Sequence, residues 1–248
     1  MTRWVWEGLR NGIRTTRYPA AAERAAGVSP GRPAARAGEE ARARAGKTDC
    51  PTDAIGPAEN GSRVDYRRCV HCFACARDAP AAVDWEEGYE WAGAQAEMRR
   101  LGRRFRRSLN VRFLDAGACG ACMGEVRQID NPYYNMHRLG FFLTPTPRNA
   151  DVLLVAGPVT AAMRGALRAT YEAMPPPKRV VAMGVCALSG GVFGPSAAAE
   201  GGVAAVVPVD VTIPGCPPPP LAILHGLLVA VGRKPPAPLE SVPEDSSP

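Results

Sequence analysis

The sequence predicts an α/β fold: a small, doubly wound parallel sheet that is preceded by a separate α+β unit. Three observations carry this prediction. In the second half of the chain, short apolar runs alternate with segments of helical length, which is typical of a parallel sheet with crossover helices. After the first of these runs, Cys119 and Cys122 lie one helical turn apart, where a strand would lead into a helix. Upstream, Cys69, Cys72 and Cys75 form a C-x-x-C-x-x-C run in a segment without this alternation.

The composition is that of an ordinary globular protein with a modest positive charge. Of its 248 residues, 46% are hydrophobic, and the formal net charge is +6 at pH 7. No apolar span reaches about 18 residues, so no transmembrane helix is expected, and the first residues lack the apolar region of a secretory signal. Without export, eight cysteines with C-x-x-C spacing are better explained by metal ligation than by disulfides.

Residues 1–19 predict a basic amphipathic arm. Trp4, Val5, Leu9 and Ile13 recur at near-helical spacing, with arginines between them. A basic amphipathic helix with tryptophan on its apolar face is suited to a membrane surface or to a partner protein. Docking of the arm on its own domain or on another subunit explains the same pattern, so both interpretations stay open.

Residues 20–88 contain the first cysteine motif. The segment from Ala20 to Thr48 is rich in small and charged residues and has the composition of a linker. The three-cysteine run that follows has the spacing of ligands to a 4Fe–4S cluster, which takes four thiolates. In a ferredoxin the run continues with three residues and then Cys-Pro, whereas here Ala79 precedes Pro80, and an unaccompanied Cys50-Pro51 lies upstream.

This pattern resembles a two-cluster ferredoxin that has lost one cluster. In ferredoxins the last cysteine of one run ligates the other cluster, so Cys50 would complete the site of Cys69, Cys72 and Cys75. Zinc is the alternative occupant of four thiolates, although zinc sites more often pair two C-x-x-C knuckles. Strands are expected around the site, with a hairpin turn at Asn60-Gly61. His71, which lies between two ligands, is interpreted as a surface residue that tunes the reduction potential.

Residues 89–110 predict a basic connector with a helix over Gln95–Arg107. Its six arginines suggest nucleic-acid binding. No aromatic platform or groove-reading module accompanies this charge, so we expect no nucleic-acid partner. An acidic protein surface or a solvated face explains the charge better.

Residues 111–232 predict a flavodoxin-like domain, and residues 233–248 predict a disordered tail because they are rich in proline, serine and acidic residues. The expected strands are Val111–Leu114, Asp151–Ala156, Arg179–Met183 and Val203–Val211. The expected helices are Cys119–Ile129, Tyr133–Leu139, Thr160–Ala173 and Pro219–Val231. Cys186 and Cys216 each follow an apolar run. In an open α/β sheet, ligands bind outside the carboxyl ends of the strands, so these two and the Cys119/Cys122 pair form a second predicted 4Fe–4S set.

The blocks from Asp115 to Glu125, from Val155 to Thr160, at Gly184–Cys186 and at Gly215–Pro218 resemble the cluster-bearing small subunit of energy-converting nickel–iron hydrogenases and its relative in respiratory complex I. The N-terminal part is similar to the ferredoxin-like subunit of the same complexes. The resemblance implies that Cys119, Cys122, Cys186 and Cys216 hold the proximal cluster. It also implies a large catalytic subunit, membrane-arm subunits and an electron donor or acceptor protein as partners, in a complex on the cytoplasmic face of the cell membrane.

One departure helps to place the chain within this group. Complex I proteins carry adjacent cysteines where this chain has Ala121 before Cys122, and the C-x-x-C form resembles hydrogenases. We therefore expect an electron-transfer subunit of a formate-hydrogenlyase-like or hydrogenase-related complex, with an NADH– or ferredoxin–quinone oxidoreductase-like complex as the alternative. Glu125, one turn after Cys122, is the candidate catalytic residue: it would face the partner and either relay protons or pair locally.

Overall fold

The computed structural model describes residues 3–95, 98, 101–102, 105 and 107–243. Six strands form its main sheet. In spatial order they are β5 (Gly93–Ala94), β10 (Val211–Ile213), β9 (Arg179–Met183), β8 (Val152–Ala156), β6 (Leu109–Asp115) and β7 (Phe141–Leu143). The strands from β10 to β7 run parallel, and β5 pairs antiparallel with β10 at one edge. The mainly parallel α/β sheet predicted from the sequence is confirmed.

Helices cover both faces of this sheet. Helices α4 (Ala121–Gln128) and α7 (Pro220–Ala230) belong to the hydrophobic core on one face, and α5 (Ala161–Ala173) and α6 (Val185–Ser189) belong to the core on the other. Successive residues of β8 alternate between the two cores, as the two-residue period of a strand requires. Every residue of α7 is buried, which is expected of a helix that is apolar on all sides. The doubly wound arrangement is therefore present.

One predicted strand of this domain is wrong. The segment expected as a strand over Val203–Val211 begins as a 3₁₀ helix at Val203–Ala205, and the strand β10 starts only at Val211. Pro208 lies between them and cannot donate a hydrogen bond to a central strand. Val203 and Val207 are still buried, so their apolar character reflects packing rather than a strand.

One predicted helix also differs from the structure. The helix expected over Tyr133–Leu139 is shortened to a 3₁₀ helix at Met136–Leu139. The carboxamide oxygen of Asn131 accepts hydrogen bonds from the N–H groups of Tyr133 and Tyr134, and this holds the preceding residues in a turn. The basic helix expected over Gln95–Arg107 lies largely outside the described residues, as do most of its arginines.

A smaller α+β unit precedes the main sheet. Its elements are β1 (Arg32–Ala35), α2 (Glu39–Ala45), β2 (Ile55–Ala58), β3 (Gly61–Asp65), α3 (Ala74–Asp78) and β4 (Val83–Glu86). β1 pairs antiparallel with β4, and β2 and β3 form the hairpin predicted at Asn60-Gly61. Only glycine fits at position 61, because a Cβ atom there would lie 2.1 Å from the Arg36 carbonyl oxygen. The linker expected up to Thr48 is wrong, since β1 and α2 lie within it.

The disorder predicted for the tail at 233–248 is wrong over its described part. Strand β11 (Glu240–Ser241) pairs antiparallel with β3 of the small unit. Before it, the Ala237 N–H donates to the Ala92 carbonyl at a distance of 2.8 Å. The unpaired edge of β3 offers backbone partners that the tail cannot find within itself. The tail therefore ties the small unit to the main domain.

The N-terminal helix is exposed on all sides. Helix α1 (Arg3–Asn11) has no buried residue, and Trp4, Trp6 and Leu9 are 72%, 64% and 69% exposed. The chain docks on the main domain only after this helix, where the Thr16 N–H donates to the Tyr133 carbonyl at 2.9 Å. Among the described residues, none of the helices has both the length and the apolar character needed to cross a bilayer.

Candidate metal centres

The four cysteines that the sequence assigns to the small unit line one cavity. Cys50, Cys69, Cys72 and Cys75 surround about 360 Å³ of empty space, part of which is open to solvent. Cys75 is buried and Cys72 is exposed, so the cavity extends from the core of the unit to its surface. The rest of the lining is mostly apolar and includes Trp85. The structure thus brings this predicted set together.

Backbone groups next to three of these sulfur atoms favour their charged form. The Ala54 N–H donates to Cys50 Sγ at 3.3 Å, and the backbone at His71 and at Ala76 lowers the pKa of Cys69 and of Cys75 against the larger effect of burial. Such donors stabilise negative charge on sulfur and help to set the potential of an iron–sulfur cluster.

The electrostatic environment of this set is unfavourable to free thiolates. Burial, followed by the nearby Cys75, Cys50 and Cys72, raises the pKa of Cys69 to about 12. A thiol in this position stays protonated at neutral pH unless a cationic group replaces the proton. Burial raises the pKa of Cys75 in the same way, so these two thiols suit a positively charged inorganic group.

The second predicted set lies at the carboxyl ends of the parallel strands. Cys119 follows β6, Cys122 is in the first turn of α4, Cys186 is in α6 directly after β9, and Cys216 follows β10. The thiol of Cys122 interacts electrostatically with those of the other three, and burial, as the largest cause, raises its pKa to about 12. Because parallel strands end at one edge of the sheet, three separate strands deliver these side chains to one place.

Two glycines leave the space that the sulfur atoms of this set occupy. A Cβ atom on Gly184 would lie 2.8 Å from Cys122 Sγ, and one on Gly191 would lie 3.0 Å from Cys186 Sγ. Both glycines also have positive φ angles, of 82° and 60°, which other residues rarely adopt. The backbone is therefore shaped around the thiols rather than around a packed apolar core.

In the described part of the chain, no group of three or more His, Cys, Asp or Glu side chains has the arrangement that holds a metal ion. A single zinc ion draws four thiolates to one centre at about 2.3 Å. Each iron of a 4Fe–4S cluster takes one thiolate, so the four sulfurs stand further apart around a larger group. The donor chemistry, the cavity and the glycine positions fit such a group.

The positions at which a second ferredoxin-type cluster would be ligated hold no sulfur in the sequence. Ala79 replaces the cysteine after the three-cysteine run, and its side chain packs on the core of the small unit. This core contains Ala45, Ile55 and Val64. Small apolar side chains therefore lie next to the position at which the missing cysteine would be.

Glu125 is partly buried in α4, close to the second cysteine set. Burial raises the pKa of its carboxyl group above the ordinary value. Its charge is felt by Cys122 and by the hydroxyl of Tyr134. These neighbours leave open whether it relays protons or is structural, so its catalytic role stays a prediction.

Sequence reasoning missed one contact between the two cysteine sets. The Cys216 N–H donates to Nδ1 of His71 at 3.3 Å, and the His71 ring lies 5.4 Å from the ring of Trp91. Burial and the nearby Arg32 lower the pKa of His71 to about 4. The ring is thus directed inward and half-buried, not on the surface as expected. The sequence gives no signal for this contact, because the two residues are 145 positions apart.

Comparisons with known proteins match the second half of the chain. The family described as "NADH ubiquinone oxidoreductase, 20 Kd subunit" matches residues 119–230, a range that contains the whole second cysteine set. Formate hydrogenlyase subunit 7 of Escherichia coli is 40% identical over 132 residues, which are 53% of this chain and 52% of that protein. A probable membrane-bound hydrogenase subunit of Pyrococcus furiosus is 39% identical over 145 residues, which are 56% of this chain and 87% of that protein.

Solved structures are similar over about half of the chain. A chain of the membrane-bound sulfane sulfur reductase, an archaeal respiratory membrane complex, is 32% identical with a TM-score of 0.46, covering 52% of this chain and 71% of that chain. A chain of an NAD⁺-reducing [NiFe]-hydrogenase is 24% identical with a TM-score of 0.43, covering 53% of this chain and 96% of that chain.

The main domain has a mainly parallel α/β sheet with four cysteines at the carboxyl edge of that sheet. The chain belongs to the NADH ubiquinone oxidoreductase 20 kDa subunit family, whose members are subunits of oxidoreductase complexes. It spans about half the length of the Escherichia coli relative. The family match begins at residue 119, so the small unit and its cysteines lie outside it.

Proposed function

We propose that this chain is an electron-transfer subunit that binds two 4Fe–4S clusters. The first would be ligated by Cys50, Cys69, Cys72 and Cys75, and the second by Cys119, Cys122, Cys186 and Cys216. The observation that carries the proposal is the separation of eight cysteines into two sets of four, one around a cavity and one at the carboxyl edge of the sheet. Bound there, such clusters supply one-electron chemistry.

The chain's own groups would do three things in this role. The cysteines would release their protons to solvent and hold the clusters as thiolates, which are soft ligands for iron. The Ala54 N–H would stabilise negative charge on the Cys50 sulfur. The exposed Cys72 marks where a redox partner would approach the small unit, and the exposed Cys119 and Cys216 mark where electrons would leave for a partner subunit.

The names of the relatives support a hydrogenase-type complex as the setting. The main domain would pack on a large catalytic subunit that carries nickel and iron, in a membrane-associated, formate-hydrogenlyase-like assembly on the cytoplasmic face. Glu125 would face that subunit. Helix α1, with exposed tryptophans and Arg3 and Arg10, would lie against anionic lipid headgroups.

The test is anaerobic purification of the full chain and chemical analysis of its metals. We expect about eight irons and eight sulfides per chain, a brown colour and two reducible paramagnetic centres. Cys69→Ser and Cys119→Ser should each remove about half of the iron, because each would destroy one four-iron site. A colourless protein with stoichiometric zinc would refute the proposal.

A second candidate is a subunit of an NADH– or ferredoxin–quinone oxidoreductase-like complex without hydrogen chemistry. The description of the matching family favours it. The large subunit encoded with this chain decides between the two. Two C-x-x-C pairs in that subunit, together with hydrogen-dependent reduction of viologen by the purified complex, support the hydrogenase setting. Their joint absence supports the quinone-reductase setting.

A further inference from the structure

One route of covalent bonds and one hydrogen bond runs between the two cysteine sets through His71. At one end, His71 is two residues from Cys69 in the chain and lines the same cavity. At the other end, Nδ1 of His71 accepts the backbone N–H of Cys216 at 3.3 Å. A single residue therefore connects a member of each set.

The surroundings hold the His71 ring in this position. Its backbone lies in the left-handed region, at a φ of 51°. The ring packs on Trp91, which is 2% exposed. A second contact joins the small unit to the main domain, because the Ser189 hydroxyl donates to the Arg67 carbonyl at 2.8 Å.

We infer that His71 is a positioning residue that couples the two cysteine sets electronically as well as mechanically, so that electrons pass between them along the Cys69–His71–Cys216 route. This inference rests on the proposed function. In the step, one electron leaves the cluster at Cys69, which is oxidised, and the cluster at Cys216 is reduced. No bond breaks and no proton moves, and the reverse step balances equally.

Three variants separate coupling from folding. His71→Phe keeps a ring for Trp91 but has no acceptor for the Cys216 N–H. His71→Gly removes the ring, and glycine adopts the positive φ angle without strain. This variant replaces His71→Phe in the test if the phenylalanine variant does not bind its clusters. His71→Asn restores an acceptor and also tolerates this backbone conformation. His137→Phe is the matched control, since that histidine also stacks on an aromatic ring, at 5.1 Å from Phe142, away from both sets.

The first measurement is hydrogen exchange of segment 214–220 by mass spectrometry. This segment carries only two backbone amides, those of Gly215 and Cys216, because its other five residues are proline. Loss of the His71 acceptor should speed exchange in the segment by up to about tenfold. Unchanged exchange in His71→Phe and His71→Gly would show that the hydrogen bond does not exist in solution.

The second measurement follows one electron in the full chain. Iron and sulfide analysis first establishes that both sites hold a cluster. If the unmodified chain holds no clusters, the proposed function itself is refuted, and not only the role of His71. After substoichiometric photoreduction, freeze-quench EPR records how fast the electron reaches its equilibrium distribution, and relaxation-enhancement EPR gives the distance between the centres.

We expect slower equilibration in His71→Phe and His71→Gly, wild-type rates in His71→Asn and His137→Phe, and the same distance in all. Equal rates in loaded His71→Phe or His71→Gly would overturn the inference. So would a slower rate that accompanies a longer distance, because separation alone would then explain the change.

Discussion

His225 offers a sharp test of how the tail is held on the main domain. The side chain is 1% exposed in α7. Its Nδ1 accepts the Ala92 N–H at 3.1 Å, and its Nε2 lies 3.2 Å from the Pro235 carbonyl. Since Nδ1 is an acceptor, Nε2 carries the proton and donates to Pro235. One neutral imidazole therefore joins the helix, the strand β5 region and the tail.

Replacing this residue by His225→Phe keeps most of the volume and removes both hydrogen bonds. A buried polar group without a partner costs about 1–3 kcal/mol, so the loss at Ala92 and Pro235 amounts to about 2–6 kcal/mol of local stability. The measurement is hydrogen exchange of the segments that contain Ala92 and Ala237. Exchange should rise by at least about tenfold, since each 1.4 kcal/mol is about a factor of ten. His137→Phe, at an exposed histidine, is the control.

The same residue predicts a dependence on pH. Burial lowers the pKa of His225, and the nearby Glu90 opposes this shift without cancelling it. A histidine whose folded pKa lies below its unfolded value of about 6.5 stabilises the fold fully above that pH. This contribution is lost as the pH falls through the folded pKa, so the tail should open at acid pH in the unmodified chain and lack this transition in His225→Phe. If the variant exchanges like the unmodified chain at every pH, this reasoning is refuted.

Three further outcomes are expected. Gly184→Ala should lose about half of the iron, because its Cβ atom would lie 2.8 Å from Cys122 Sγ. Gly165→Ala is the control and should keep all of the iron, because a Cβ atom there has nothing within 4 Å. Equal iron contents in the two variants would contradict the close approach at Gly184. Deletion of residues 239–248 should expose the β3 edge, so limited proteolysis should cut the small unit first. Unchanged resistance to proteolysis would mean that β11 does not stabilise the small unit. Trp4→Ser should weaken sedimentation with anionic vesicles relative to Tyr171→Ser, and equal binding of the two would argue against a membrane-facing α1.

Local patterns predicted most of the main domain. The apolar runs at β8 and β9 gave strands whose bounds differ from the prediction by at most one residue, because both are buried along their whole length and read as continuous apolar segments. The same rule failed at Val203, where valines that pack on the core were interpreted as a strand. Apolar character indicates that a segment is buried, but it does not distinguish a buried strand from a buried segment of another kind. Here the distinguishing feature is Pro208, which has no backbone N–H for a strand hydrogen bond.

Features that depend on distant contacts were not predictable. Strand β11 exists because the β3 edge is available, and nothing in Glu240 or Ser241 indicates a strand. Likewise, C-x-x-C spacing grouped Cys69, Cys72 and Cys75, and the predicted strand ends grouped Cys186 and Cys216 with the second C-x-x-C pair. Neither pattern carried information about the contact between His71 and Cys216, which only the packing of the two units brings together. Motifs made of residues close together in the chain can be predicted from the sequence, whereas contacts between distant residues become visible only in the folded structure.

The pairing of β11 with β3 has a consequence for biosynthesis. Domains usually acquire their structure in the order in which the ribosome makes them. Here the N-terminal unit lacks its third strand until residue 241 has been translated, so the first unit to emerge is the last to be completed. During this interval the edge of β3 that later pairs with β11 has no strand partner.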